Sequence, residues 1–141
     1  MSSKGHDFIL ETVQMKMKQL GYRIVASDSH YKNIKFDMPP TIKNHRPDAV
    51  GYSDNNSICI GEAKYYGDLD SERSQTQIID FINLTLDKKM DIRVVFGIPL
   101  SEEETFLEVL RKNDLDLSDR VILLKVPDRL IPREDTKNEE I

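Results

Sequence analysis

The sequence predicts a single α/β domain: a mixed sheet with helices on both faces. Three observations carry this. Segments with apolar residues at three- and four-residue spacing alternate with short apolar runs of strand character. Two of those runs, residues 46–52 and 57–64, flank the turn signal "SDNNS", which makes them an antiparallel hairpin. Two later apolar runs each follow a helical stretch, the pattern of a crossover connection, expected to be right-handed. The order is helix, strand, hairpin, helix, strand, helix, strand, so an antiparallel three-strand meander is continued by crossovers.

The first helix is expected over residues 7–22. Ile9, Val13, Met17 and Leu20 recur at helical spacing, and Gly21 is a natural stop. "YRIVAS", residues 22–27, reads as a short strand. Residues 28–44 are irregular and contain Pro39-Pro40, with "HYKNIKFDM" as a ragged strand. After the hairpin, residues 71–89 form a second helix. Ser71 supplies its cap, and Ile78, Ile79, Phe81, Ile82, Leu84 and Leu86 supply its apolar side. "DIRVVFGIP" is apolar throughout and is expected to be buried on both faces. "SEEETFLEVLRKN" is a third helix with Ser101 as N-cap and acidic residues in its first turn. "DRVILLKVP" is the last strand. The domain is thus expected to span residues 1–127, with residues 128–141 a charged, fraying tail.

Composition bounds the function. The 141 residues suffice for one modest core, and 38% hydrophobic with 32% charged residues is an ordinary globular mixture. No apolar run reaches the roughly 18 residues of a membrane helix, and the N-terminus lacks the apolar core of a signal peptide. With Cys59 the only cysteine, no intrachain disulfide can form, and an intracellular, cytoplasmic setting is expected. A net charge of −5 argues against coating nucleic acid by bulk charge, but not against a local basic groove.

The stretch "HRPDAVGYSDNNSICIGEAK" carries the chemistry. A hairpin turning about Asn55 sets Asp48 opposite Glu62, with Cβ atoms about 4.5–5.5 Å apart, where like charges repel. Lys64 joins Glu62 on one side of its strand. A divalent cation would make this arrangement favourable, since Mg²⁺ uses one or two carboxylates plus phosphate oxygens and water. The same residues could instead be a strand-start aspartate and a surface Glu–Lys pair. Ile58 and Ile60 share the face of Glu62, so the charges sit at the end of a buried strand, which points to a site at the sheet rim.

Pro47-Asp48 followed by Glu62-Ala63-Lys64 resembles the PD-(D/E)xK nuclease superfamily, the restriction-endonuclease-like fold, over residues 5–126. The resemblance implies a helix, three-strand meander, helix, strand, helix, strand core. It also implies a Mg²⁺-dependent deoxyribonuclease, with Mn²⁺ as a substitute, hydrolysing DNA phosphodiester bonds with a metal-activated water. Asp48 and Glu62 would be metal ligands, and Lys64 would position the attacking water or stabilise phosphate charge. Many members carry a first-helix glutamate that reaches the metal. Glu11 is the candidate, ten residues before Gly21, a spacing similar to that of Holliday-junction-resolvase-like members. Some carry a glutamine in a Gln-x-x-x-Tyr pattern. Gln77-Ile78-Ile79-Asp80-Phe81 is close, with Phe for Tyr, and Gln77 is preferred to Gln75 because it stands four residues before the aromatic.

The remaining features are weaker. His6, His30 and His45 show no mutual metal spacing. His45-Arg46 flanks the site, as phosphate contact or, with slight preference, as solvated loop. Tyr65-Tyr66 fits edge-strand packing better than base stacking. Residues 28–46 hold Lys32, Lys35, Lys43 and Arg46 against Asp28 and Asp37, a net of +2, and could face nucleic acid. Glu102, Glu103 and Glu104 suit a helix dipole. The expectation is an endonuclease or resolvase-like enzyme acting on DNA, without a membrane, with a homodimer or a partner protein supplying specificity. The alternative is a catalytically inactive domain of the same fold that binds DNA or a protein partner.

Overall fold

The computed structural model describes residues 3–28 and 39–133. Helix α1 (Lys4–Gln19) leads into β1 (Arg23–Ser27), β2 (Ala49–Tyr52) and β3 (Ile58–Ala63); α2 (Glu72–Thr85), β4 (Ile92–Pro99), α3 (Glu103–Lys112) and β5 (Val121–Val126) follow. The five strands lie in sequence order, with β1–β2 and β2–β3 antiparallel and β3–β4 and β4–β5 parallel. This is the expected meander with two crossovers, and the element order is the one expected of the restriction-endonuclease-like fold. The ragged strand expected at residues 30–38, with His30, Lys32 and Lys35, lies outside the described residues.

Two apolar layers sandwich the sheet. On one face Ile78, Phe81 and Ile82 of α2 and Phe106 and Leu110 of α3 pack on Ile60, Val94, Phe96 and Ile98. On the other, Ile9, Leu10, Val13 and Met17 of α1 cover Ala49, Cys59, Ala63 and Val95. Strand β4 is buried along nearly its whole length, as a strand with a helix on each face should be. Helix α1 seats deeply because Gly97 has no side chain: a Cβ there would stand 2.5 Å from Val13 Cγ2 and 2.8 Å from Ile9 Cγ2.

Local signals explain most boundaries. Ser71 Oγ accepts the Ser74 N–H at 3.1 Å and caps α2. The turn after β2 closes with the Ser53 N–H to the Ser57 carbonyl at 3.0 Å, with Asn56 in the left-handed region. Two expectations need correction. Ser101 does not cap α3. It sits in a 3-10 turn, where its N–H donates to Asp128 Oδ1 at 3.0 Å and its hydroxyl to Asp128 Oδ2. Residues 128–133 do not fray either. Ile131 is buried with the α1 layer, Tyr66 Oη bonds Asp128 Oδ2 at 2.7 Å, and the Arg133 guanidinium lies 4.0 Å above the Tyr66 ring. Residues 134–141 lie outside the described residues.

Candidate active site

The β2–β3 register sets the centre. Ala49 pairs with Gly61 and Val50 with Ile60, so Asp48, one residue before β2, stands opposite Glu62. Beyond the end of β2 the two side chains replace the strand ladder. The Asp48 N–H donates to Glu62 Oε1 at 3.1 Å, and the Ala63 N–H donates to Asp48 Oδ2 at 2.9 Å. Each carboxylate thus fixes the backbone of the opposite strand.

Lys64 continues β3 past its last residue, its N–H donating to the Gly97 carbonyl at 2.9 Å. Its ammonium is buried, 3.0 Å from Glu62 Oε2 and hydrogen-bonded to Gln77 Oε1 of α2. Gln75 instead turns to the Leu69 carbonyl at 2.9 Å, so α2 offers Gln77 and not Gln75 to the centre.

Helix α1 reaches the carboxylates through His6. Its Nε2 lies 3.2 Å from Asp48 Oδ2. This approach depends on Gly5, where a Cβ would stand 2.1 Å from Tyr65 Cε1 and 2.5 Å from the Pro132 carbonyl oxygen. Glu11, expected as the helix residue at the metal, stands about 140° around α1 from His6. Among the described residues no three or more His, Cys, Asp or Glu side chains gather at metal-binding spacing. His6 was passed over in the sequence because its contact depends on how α1 seats, which no spacing within the chain encodes.

The electrostatics follow from burial. Burial pushes the Glu62 carboxyl up from its ordinary range and the Asp48 charge adds to this, while the Lys64 ammonium pulls the other way; the net direction is up. Burial opposes a charged His6, but its hydrogen bond to Asp48, the Asp48 charge and the charges of Glu62 and Asp7 outweigh it, raising the imidazolium to about 9. Without metal, then, each carboxylate faces a cation: His6 beside Asp48 and Lys64 beside Glu62. The bare repulsion expected from the sequence is thereby relieved.

Asp48 meets His6 and the Ala63 N–H through Oδ2, whereas Glu62 is engaged through both oxygens, Oε1 with the Asp48 N–H and Oε2 with Lys64. Two carboxylates with hard oxygen donors suit Mg²⁺, which completes its shell with phosphate oxygens and water.

The flanking residues are placed as follows. His45 is buried, with Nε2 2.8 Å from Asp80 Oδ2 and its ring edge-on to Phe81, so it is not a solvated loop residue; Arg46 is exposed. Tyr65 and Tyr66 pack edge-to-face at 5.0 Å, and the Tyr65 hydroxyl donates to the Pro132 carbonyl at 3.3 Å, so both serve packing.

No protein-family model and no curated protein sequence matches the chain. Among solved structures it is similar to a repair endonuclease from Pyrococcus abyssi (12% identity, TM-score 0.48, 91% of this chain and 48% of that one). It is also similar to an FdxN element excision controlling factor from Anabaena variabilis (19% identity, TM-score 0.45, 90% and 97%). A third is EndoMS in complex with double-stranded DNA (12% identity, TM-score 0.42, 90% and 47%). The chain spans about half the length of the first and third. No helix among the described residues is long and apolar enough to cross a membrane.

Proposed function

We propose that the chain is a Mg²⁺-dependent deoxyribonuclease of the PD-(D/E)xK type, endonuclease or resolvase-like. The observation that carries this reading is the convergence, at one rim of the sheet, of Asp48 and Glu62 in cross-strand register with the Lys64 ammonium 3.0 Å from Glu62. Asp48 and Glu62 would hold the Mg²⁺, or Mn²⁺ in its place. When bound, the ion supplies Lewis-acid polarisation of the scissile phosphoryl group and neutralises its developing charge.

The protein's own residues do the rest. Lys64, oriented by Glu62 and Gln77, presents a fixed positive charge to the phosphate as negative charge grows there. Its burial keeps the ammonium out of bulk water, where the interaction is weakened. His6 and the Ala63 N–H hold Asp48 by Oδ2 and so fix the direction of the carboxylate.

A second reading has an observation of its own. Because His6 and Lys64 already neutralise the two carboxylates, the centre is self-sufficient without metal, as in a catalytically inactive domain of this fold that binds DNA or a protein partner. Incubating the purified protein with Mg²⁺ or Mn²⁺ and linear, branched and single-stranded DNA separates the two. Cleavage is expected, with Asp48→Asn and Lys64→Met each losing on the order of a hundredfold or more in rate. A wild-type protein that cuts none of these DNAs with either ion sinks the nuclease reading in favour of the second.

A further inference from the structure

Ahead of Asp48 the chain makes a second, tighter hairpin. Ile42 and His45 exchange both backbone hydrogen bonds, at 2.6 and 2.9 Å. The two residues between them, Lys43 and Asn44, both lie at positive φ, 53° and 67°. This is a two-residue turn of the type whose twist matches antiparallel strands. Asparagine accepts the left-handed region readily; lysine does so seldom, and holds it only where its surroundings insist.

Those surroundings are visible. Ile42 packs against the α2 layer. His45 is buried, its Nε2 bonded to Asp80 and its ring edge on Phe81, both of α2. Pro47 is buried beyond it, while Lys43, Asn44 and Arg46 are exposed. Asp80 follows Gln77 by three residues and so neighbours it on the helix surface. Arg46 precedes Asp48 by two residues, roughly 7 Å of extended chain. The hairpin therefore carries two exposed cations on a braced support, one helical turn from the Lys64–Gln77 contact. The chain as a whole is acidic, with a net charge of −5.

We propose that residues 42–46 form a phosphate-contacting prong, with Lys43 and Arg46 binding the DNA backbone beside the scissile bond and the His45–Asp80 pair bracing them. The inference rests on the nuclease reading above and names the binding surface for its substrate. Bracing lowers the entropy lost when the cations meet phosphate, and the local positive charge offsets repulsion between acidic protein and polyanion.

The test measures the affinity of the whole chain for a fluorescein-labelled mixed-sequence duplex, with Ca²⁺ in place of Mg²⁺, between about 50 and 200 mM salt. Lys43→Ala and Arg46→Ala are each expected to weaken binding about five- to tenfold and to flatten the slope of log K against log salt by about 0.9, the release accompanying one phosphate contact. Asp80→Ala should weaken binding at every salt concentration with the slope unchanged. Asp80→Asn removes the same charge but keeps an acceptor for the imidazole, and should restore most of the affinity. If the wild type binds DNA and the Lys43 and Arg46 variants keep its slope, the prong is overturned and the nuclease reading stands. If Asp80→Ala and Asp80→Asn bind alike, the bracing role is overturned. If the wild type binds no DNA, both the prong and the reading beneath it fall.

Discussion

His6 is where a single ionisation links the fold to the centre. In the folded, metal-free protein its imidazolium is raised from 6.5 to about 9, so the native state holds this proton more tightly than the unfolded chain does. The stability it contributes is therefore complete below about pH 6.5 and is lost as pH rises through about 9. Glu62, also raised, acts in the same direction above the ordinary carboxylate range. Urea denaturation without metal should show a loss on the order of 3 kcal/mol or more across that window. His6→Gln should remove most of this loss; an equal pH slope in both proteins would place the linkage on other groups. Asp48, Glu62 and Lys64 were legible as candidates because a turn at Asn55 fixes a register and strand alternation a face, and Gln77 through its resemblance to a Gln-x-x-x-Tyr pattern. His6 was not, because its role exists only once α1 lies on Gly97 and Gly5 has let the helix start close on Tyr65.

Elements were legible where the deciding interactions are local. The cap of α2 lies within four residues, and the β2–β3 turn within five. The misread elements were decided from a distance. Ser101 has the sequence of a cap, but Asp128 takes both its N–H and its hydroxyl. Residues 128–133 look like a solvated tail, yet Ile131 belongs to the α1 layer. The contrast yields a prediction for two helix starts. Ser71→Ala removes a local cap and should cost about 1 kcal/mol, with cleavage unchanged well below the melting point. Gly5→Ala places a Cβ 2.1 Å from the Tyr65 ring, lifts the start of α1, and should cost about 1–3 kcal/mol together with a drop in cleavage as His6 leaves Asp48. Matched cleavage by the two variants at equal folded fraction would show that the start of α1 does not govern the centre.

At the scale of the whole molecule, a cation that binds only the folded chain must stabilise all of it. Saturating Mg²⁺ or Mn²⁺, at about a hundred times its dissociation constant, should raise Tm by about 5–10 °C, as scanning calorimetry would measure, and Asp48→Asn should abolish most of that rise. An identical rise in the variant would put the ion elsewhere. The seating of α1 and α2 on opposite faces also has a bearing on how the centre is assembled. The carboxylates and Lys64 lie within one short hairpin, whose contacts are near in sequence. Their further partners do not. His6 belongs to the layer on one side and Gln77 to the layer on the other. The full set of contacts at the centre therefore exists only in a chain with both layers in place.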